Sequence, residues 1–511
     1  MGRLSQRRAP LAAVAFLAGA LPAPAFPAPG LWWLAWVALL PWLLLLRSAP
    51  GGRAALLVGW LGGTGFVLAT HHWLMPSLHV FLLPLAALTG LLWAPWGWLA
   101  HRLLTGAPRG MRAAAAVALL PSGWLLIEVV RSWEYLGGPW ALLGASQWQF
   151  GPALRLASVG GVWLVSVLVV AVNTALVLLL AVPPARRAAG AALLTVVLLT
   201  AATAWWAPAP RQQGEARIAV VQPGLTPGPQ ARFERAAALT AELAGRELDL
   251  VVWGESSVGF DLDARPDLME RLRTLASRVE APLLVNVDAR RAGGPGIFKS
   301  SVVVDERGPT GERYDKMRLV PFGEYVPLRP LLGWATSVGR AAEEDRRRGD
   351  SQVLFDVRGT RIGPLVCFET AFPDMSRQLA RDGAGLLVAQ SATSSFQESW
   401  APAQHASLGA LRAAETGRPV VHATLTGVSA VYGPDGRPVG PALGVERSTA
   451  EVYRVPLAEG RTPYVRYGDW LPGLASAAVA AFVLVSLLRR RAVSPSGAAG
   501  SGPGLTRSRR P

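Results

Sequence analysis

Tyr-Asp-Lys-Met-Arg-Leu-Val-Pro-Phe-Gly-Glu-Tyr-Val-Pro, residues 314–327, carries one of only two lysines in a chain of 511 residues that holds 50 Lys and Arg together. Arginine occupies nearly every position at which a positive charge alone is needed. A lysine that persists is a candidate for work a guanidinium cannot do, because an ammonium is compact and its charge can be tuned. The other lysine is Lys299, where exchange for arginine is expected to be close to silent. Downstream, Gly-Pro-Leu-Val-Cys-Phe-Glu (363–369) ends an apolar run with the single cysteine, Cys367. Upstream, Leu-Val-Val-Trp-Gly-Glu-Ser-Ser (250–257) ends another with Glu255. Carboxylate, amine and thiol therefore follow one another in chain order.

Around these three motifs the sequence alternates short apolar strands with helical patterns. Strands are predicted at 217–222, 248–253, 282–287, 300–305, 362–367, 386–390 and 420–424, and helices at about 231–245, 265–279, 371–382 and 402–417. Such alternation implies an α/β layered core. Tyr-Gly-Pro-Asp-Gly-Arg (432–437) has the chemistry of a turn closing a hairpin. Glu255 and Cys367 directly follow strands, where α/β folds present active-site side chains.

The rest of the chain has a different composition. Half of all residues are apolar and 16% are charged, and residues 10–206 form a near-continuous series of apolar stretches. A spanning helix needs about 20 apolar residues. Eight candidate spans follow: about 10–27, 31–46, 54–71, 79–100, 112–132, 156–182, 188–206 and 468–488, the first two short. The expected division is a membrane domain over 1–209, a catalytic domain over 210–466, an eighth span over 467–491 and a disordered cytoplasmic tail over 492–511. The net charge of +16 is no sign of nucleic acid, because the arginines sit in alternate connections. Arg3, Arg7 and Arg8 precede the first span, Arg47 and Arg53 follow the second, Arg102, Arg109 and Arg112 the fourth, Arg186 and Arg187 the sixth, and Arg489–Arg491 the eighth. Arg131 and Arg155, at span ends on the other side, are an imperfection in that pattern. The positive-inside rule then puts both termini in the cytoplasm and residues 210–466 on the opposite side. Arg-Arg, an apolar stretch and Ala-Pro-Ala near position 25 also fit a cleaved signal peptide, which would leave the later topology unchanged.

A lone cysteine cannot form an intramolecular disulfide, and taken by itself it reads more readily as a small buried hydrophobe, a reading that the Glu and Lys motifs reverse. A thiol becomes a good nucleophile only with a base or cation beside it. A carboxylate and an ammonium supply both, so Glu255, Lys316 and Cys367 suffice for acyl transfer through a thioester. A Cys–His arrangement using His405 or His422 remains an alternative. His71-His72 lacks a neighbouring thiol or carboxylate for a metal, and no metal or cofactor is expected.

These motifs resemble the carbon–nitrogen hydrolase (nitrilase) superfamily, and within it the apolipoprotein N-acyltransferase family. The similarity rests on 314–327, on Val-Gln-Pro-Gly (221–224), Trp-Gly-Glu-Ser (253–256) and Cys-Phe-Glu (367–369), and on Gly138-Pro139-Trp140 with Gly144-Ala145-Ser146-Gln147. It implies a multi-pass helical membrane domain of about eight spans joined to an extracytoplasmic α-β-β-α sandwich of nitrilase type. It implies Glu255 as general base, Cys367 as nucleophile, and Lys316 with the backbone N–H of Phe368 as oxyanion donors. Glu324 and Glu369 match accessory carboxylates. Read without the resemblance, Glu324 is a solvated loop charge and Glu369 an ion-pair partner for an arginine such as Arg418. Candidate lipid contacts are Phe233, Tyr325, Trp334, Phe396, Trp400 and Trp140, with Trp334 on an apolar arm, Pro327–Val338. Two departures stand out: Phe368 replaces the family's tyrosine, and Ser391-Ala392-Thr393-Ser394-Ser395-Phe396 replaces Ser-Asn-Asp-x-Trp-Phe.

The resemblance implies a bacterial inner-membrane enzyme, acting as a monomer, that N-acylates the diacylglyceryl-cysteine of apolipoproteins from a membrane phospholipid donor. Two other readings compete. A membrane-anchored amidase or nitrilase would resolve the thioester with water. A lipid-binding or transport protein would carry a catalytically dead outer domain; the intact Glu255, Lys316 and Cys367 and the scarcity of charge within the spans count against it.

Overall fold

The computed structural model describes residues 8–290, 296–333 and 345–493. Of the expected arm, Pro327–Gly333 is described and holds a single helical turn, Arg329–Leu332, whereas Trp334 and the residues up to 338, like the tail from residue 494 on, lie outside the described residues.

Among the described residues six stretches are long and apolar enough to cross a membrane: Gly52–Thr70, His72–Gly90, Gly110–Arg131, Gly151–Ala181, Pro183–Trp206 and Trp470–Arg489. The two short spans expected at the start correspond to shorter apolar helices, Pro10–Ala25 and Trp32–Ser48. Their length is limited by local chemistry. Pro22, Pro24 and Pro27 lack the N–H groups an α-helix needs, and tight 3₁₀ turns at Ala23–Ala25 and Trp32–Trp36 take its place. The span expected at 79–100 is divided between helices Leu82–Gly90 and Trp93–Leu104. Pro95 stands in the first turn of the second, where a missing N–H goes unneeded. The bundle packs around Trp42, Trp93 and Trp124, all fully buried, with Trp42 and Trp93 each edge-on to Trp124. Pro183–Trp206 and Trp470–Arg489 instead turn most of their apolar surface outward, as suits a hydrocarbon solvent.

Between those two helices the described residues form eleven strands: β1 (Arg211–Gln222), β2 (Leu250–Trp253), β3 (Leu283–Ala289), β4 (Phe298–Asp305), β5 (Gly308–Asp315), β6 (Phe355–Val357), β7 (Thr360–Val366), β8 (Leu386–Ser391), β9 (Val420–Thr424), β10 (Ala430–Tyr432) and β11 (Thr449–Glu459). They form two sheets, ordered β11-β1-β2-β3-β4-β5 and β10-β9-β8-β7-β6. β1, β2 and β3 are mutually parallel, as are β7, β8 and β9, with antiparallel strands at the edges. Helices Gly228–Ala241, Pro266–Arg278, Pro373–Arg381 and Ala401–Thr416 are the crossovers that parallel strands require.

Among the described residues three apolar cores result. One lies between the first sheet and its two helices, around Phe233, Trp253 and Leu272. A second fills the space between the sheets, around Val220, Val252, Val366 and Val388. The third joins the other helix pair to the membrane bundle, running from Leu379 and Leu411 to Leu154 and Val165 without a break. The α-β-β-α sandwich is thus seated on the membrane helices by a continuous core. The bond between them is also polar. Helix Gly151–Ala181 breaks at Gly161 (φ +68°), where a Cβ would come within 2.7 Å of the Tyr464 ring. The N–H of Val162, freed by the break, donates to Glu415 of the sandwich at 2.8 Å. Arg412 donates to the same carboxylate at 2.9 Å, so neither buried charge is left alone.

Candidate active site

Glu255, Lys316 and Cys367 lie just past the C-terminal ends of β2, β5 and β7 respectively. Lys316 is 1% exposed, and its ammonium donates to Glu255 Oε1 at 3.0 Å and to Glu324 Oε1 at 2.8 Å. Burial works against that charge, but Glu255, Glu324 and Cys367 outweigh it and hold the lysine well above its usual range. The other Glu324 oxygen accepts the Val320 N–H at 2.8 Å. The lysine loop therefore closes on itself through Glu324, which is a partner of the ammonium rather than a solvated charge.

Cys367 has φ of +52°, a left-handed conformation that a non-glycine residue keeps only when its surroundings impose it. Two groups do so. His405 donates a ring N–H to the Cys367 carbonyl at 2.9 Å. Glu369, two residues on, accepts the N–H groups of Val366 at 2.7 Å, Met317 at 2.7 Å and Arg318 at 3.1 Å, and the Tyr314 hydroxyl at 2.8 Å. Burial raises this carboxyl, against the pull of its donors. Glu369 thus stitches the nucleophile's turn to the lysine loop and makes no ion pair with Arg418, whose guanidinium donates to the carbonyls of Ala384, Gly417 and Gly460. Cys367 as a residue is half-buried, and its sulfur lies 3.9 Å from the Ala392 carbonyl oxygen. Burial first, then the charge of Glu255, pushes it well above the ordinary thiol range, with Lys316 pulling the other way. His405 reaches the cysteine's main chain and not its sulfur, and burial lowers it to about 4, so it is a neutral donor and no base.

The wall of the site comes from the membrane side. Trp140 donates to Gln404 Oε1 at 2.7 Å and packs its ring on His405 and on Trp73. Gly138 (φ +72°) lies so close that a Cβ there would stand 2.6 Å from the Phe368 ring and 2.8 Å from Phe372. Phe368 meets Phe372 edge-on at 4.9 Å, an apolar setting in which no hydroxyl is needed. Glu134, from the same membrane-side loop, pairs with Arg348 at 2.8 Å.

The carbon-nitrogen hydrolase profile matches residues 217–457, and that of the apolipoprotein N-acyltransferase N-terminal domain matches residues 18–175. An apolipoprotein N-acyltransferase from Azotobacter vinelandii is 34% identical over 94% of this chain and 95% of its own. One from Pseudomonas aeruginosa is 32% identical over 90% and 93%, and one from Geobacter metallireducens 30% over 94% and 96%. The chain belongs to the apolipoprotein N-acyltransferase family. It is an acyltransferase with a membrane-embedded region. Among solved structures, a CN-hydrolase superfamily protein from Xanthomonas campestris is 21% identical, with a TM-score of 0.39, over 50% of this chain and 98% of its own.

Within this acyltransferase the expected lipid contacts fall into three groups. Phe396 and Trp400 are half-buried on the seam with the membrane helices, edge-on to Trp73 and His72 respectively, and Trp140 is buried beside them. Tyr325 lies under the Arg348 guanidinium, 5.4 Å from its ring centre. Phe233 is fully buried behind the first sheet, edge-on to Trp253, which leaves it no surface for a lipid. Its place at the 3.6-residue apolar spacing of helix Gly228–Ala241 was the signal that it belonged to a core. The altered 391–396 loop is held by other means: Thr393 donates to the Thr426 carbonyl at 3.0 Å, and Ser394 bonds the Thr426 hydroxyl at 2.8 Å. The Ser391 carbonyl accepts the Glu255 N–H at 3.2 Å, fixing loop to base. Gln404 was not singled out by the sequence, Gly138 stood only within a motif, and His405 was offered as a partner for the thiol, which the structure does not make it. The position of His405 opposite the cysteine depends on how the helix after β8 packs on the turn Cys367–Ala371, which local patterning does not encode.

Proposed function

We propose that the protein N-acylates the N-terminal diacylglyceryl-cysteine of apolipoproteins with an acyl chain taken from a membrane phospholipid, the last step of lipoprotein maturation. The observation that carries this reading is the buried Lys316 held by Glu255 and Glu324 beside a cysteine fixed in a left-handed turn. Glu255 takes the thiol proton as sulfur attacks the ester carbonyl. The oxyanion is met by Lys316 and the Phe368 N–H. As the C–O bond breaks, Glu255 returns the proton to the leaving lysophospholipid alkoxide. The free α-amine of the acceptor then attacks the thioester, Glu255 takes its proton, and the sulfur leaves as a thiol. The raised thiol and the persistent ammonium suit this order, in which the thiolate forms only with the substrate in place. The aromatic seam keeps water from the thioester. On this reading the protein acts as a monomer.

On this reading, full-length protein incubated with phospholipid gains one acyl mass that hydroxylamine removes, and Glu255→Gln does not gain it at neutral pH. Release of the acyl group to water as fast as to a lipidated N-terminal amine would make the protein a hydrolase instead.

The chemistry requires the sandwich, residues 210–466, to face outward from the cytoplasm, with 1–209 and 467–491 in the membrane and both termini inside. In a Cys367→Ser background, Ala188→Cys should be protected from a membrane-impermeant maleimide in intact spheroplasts, while Asp435→Cys should label at once. The reverse pattern would place the catalytic domain in the cytoplasm.

A further inference from the structure

The turn that carries Glu255 is held on three sides, and the second lysine is one of them. Ser256 has φ of +55°, a conformation its surroundings must impose. Its N–H donates to Asn286 Oδ1 at 2.9 Å, and its carbonyl accepts from Arg232 at 2.8 Å. Its hydroxyl oxygen accepts from the Lys299 ammonium at 2.5 Å, and the same ammonium donates to Asp288 Oδ1 at 2.5 Å. Asp288 and Lys299 stand directly opposite in the β3–β4 ladder, so both side chains lie on one face of the sheet. The Lys299 carbonyl also accepts the Lys316 N–H at 2.8 Å. One residue therefore touches the supports of both catalytic loops.

We propose that Lys299 is a positioning residue for acyl transfer: held by Asp288, its ammonium pins the Ser256 hydroxyl and so fixes the turn that aims Glu255 at Cys367. The inference rests on the thioester reading, in which Glu255 is the base. An ion pair with Asp288 alone would need only a charge. Here one nitrogen serves both Ser256 and Asp288, a geometry that suits a compact ammonium and not a planar fork, and that accounts for lysine at this position in a chain otherwise built with arginine.

The test is single-turnover acyl-enzyme formation by full-length protein in phosphatidylethanolamine vesicles, followed by intact mass. Ser256→Ala leaves the Lys299–Asp288 pair intact. It should slow the step about ten- to a hundredfold, while thermal melting and the lipid concentration for half-maximal rate stay unchanged. Lys299→Met should slow it as much, and the double variant no further than either single change, because both remove one device. Lys299→Met with Asp288→Leu removes the stranded carboxylate; it should melt like wild type and remain slow, which separates lost aim from lost folding. Lys299→Arg, silent on the sequence reading, should fall between wild type and Lys299→Met. Rates within about twofold of wild type for both single variants, or effects that multiply in the double variant, would overturn the proposal. A wild-type protein that gains no acyl mass would sink the thioester reading itself, a separate outcome.

Discussion

Cys367→Ser should lose acyl-enzyme formation by roughly 10⁴-fold or more, the order seen when a covalent mechanism loses its nucleophile. The thiol is already hard to ionise in this site, because burial and the Glu255 charge raise it while Lys316 only partly offsets them. A hydroxyl in the same place starts from a far higher pKa and gives an alkoxide that Glu255 cannot generate. The fold should survive, since the positive φ at 367 is imposed by Glu369 and His405, and neither touches the sulfur. The same environment predicts a pH signature for the wild type. With its pKa raised, the resting thiol is neutral at pH 7, and the reactive thiolate fraction grows about tenfold per pH unit. Alkylation by iodoacetamide without lipid should therefore keep climbing past pH 9. A plateau below pH 8 would mean that the thiolate is formed before substrate arrives. Turnover by the serine variant would remove Cys367 from the mechanism.

What was readable in the sequence divides along a physical line. Glu255, Lys316 and Cys367 each sit just beyond a strand, and two of those strands are short apolar runs that nothing but a buried position explains. The four crossover helices were found to within a few residues for the same reason, their apolar spacing being set by one buried face. Strands β5, β6, β10 and β11 were not expected as strands. β5 is Gly-Pro-Thr-Gly-Glu-Arg-Tyr-Asp, a sheet-edge strand exposed along much of its length. β11 holds Pro456, which only an edge position tolerates. Such strands are specified by the neighbour they pair with. The same holds for the seam. Gly138 and Trp140 could be read as a motif, but that the glycine makes room for Phe368 and Phe372 is a fact of docking between segments far apart in the chain. The contacts of Lys299 were equally out of reach, because Ser256 and Asp288 become its partners only when β3, β4 and the β2 turn meet.

Lys316→Arg should reduce acyl-enzyme formation by about 10²- to 10³-fold, the effect of losing one oxyanion donor, although the positive charge is kept. The ammonium lies at 3.0 Å and 2.8 Å from two carboxylates in a site that leaves the residue 1% exposed. A guanidinium is longer, planar and fork-shaped, so it can pair with Glu255 and Glu324 only by displacing one of them or by swinging toward Cys367. In either arrangement the base and the cation lose the geometry in which sulfur, carboxylate and developing oxyanion share one point. Stability should suffer little, because both carboxylates keep a partner. Lys316→Met is the contrasting case: it strands two carboxylates in a closed loop, a loss on the order of 3–5 kcal/mol that should appear in the thermal melt. Comparing the two variants separates the lysine's charge from its shape. If Lys316→Arg forms the acyl-enzyme at the wild-type rate, charge alone suffices, and the persistence of lysine at this position has another cause.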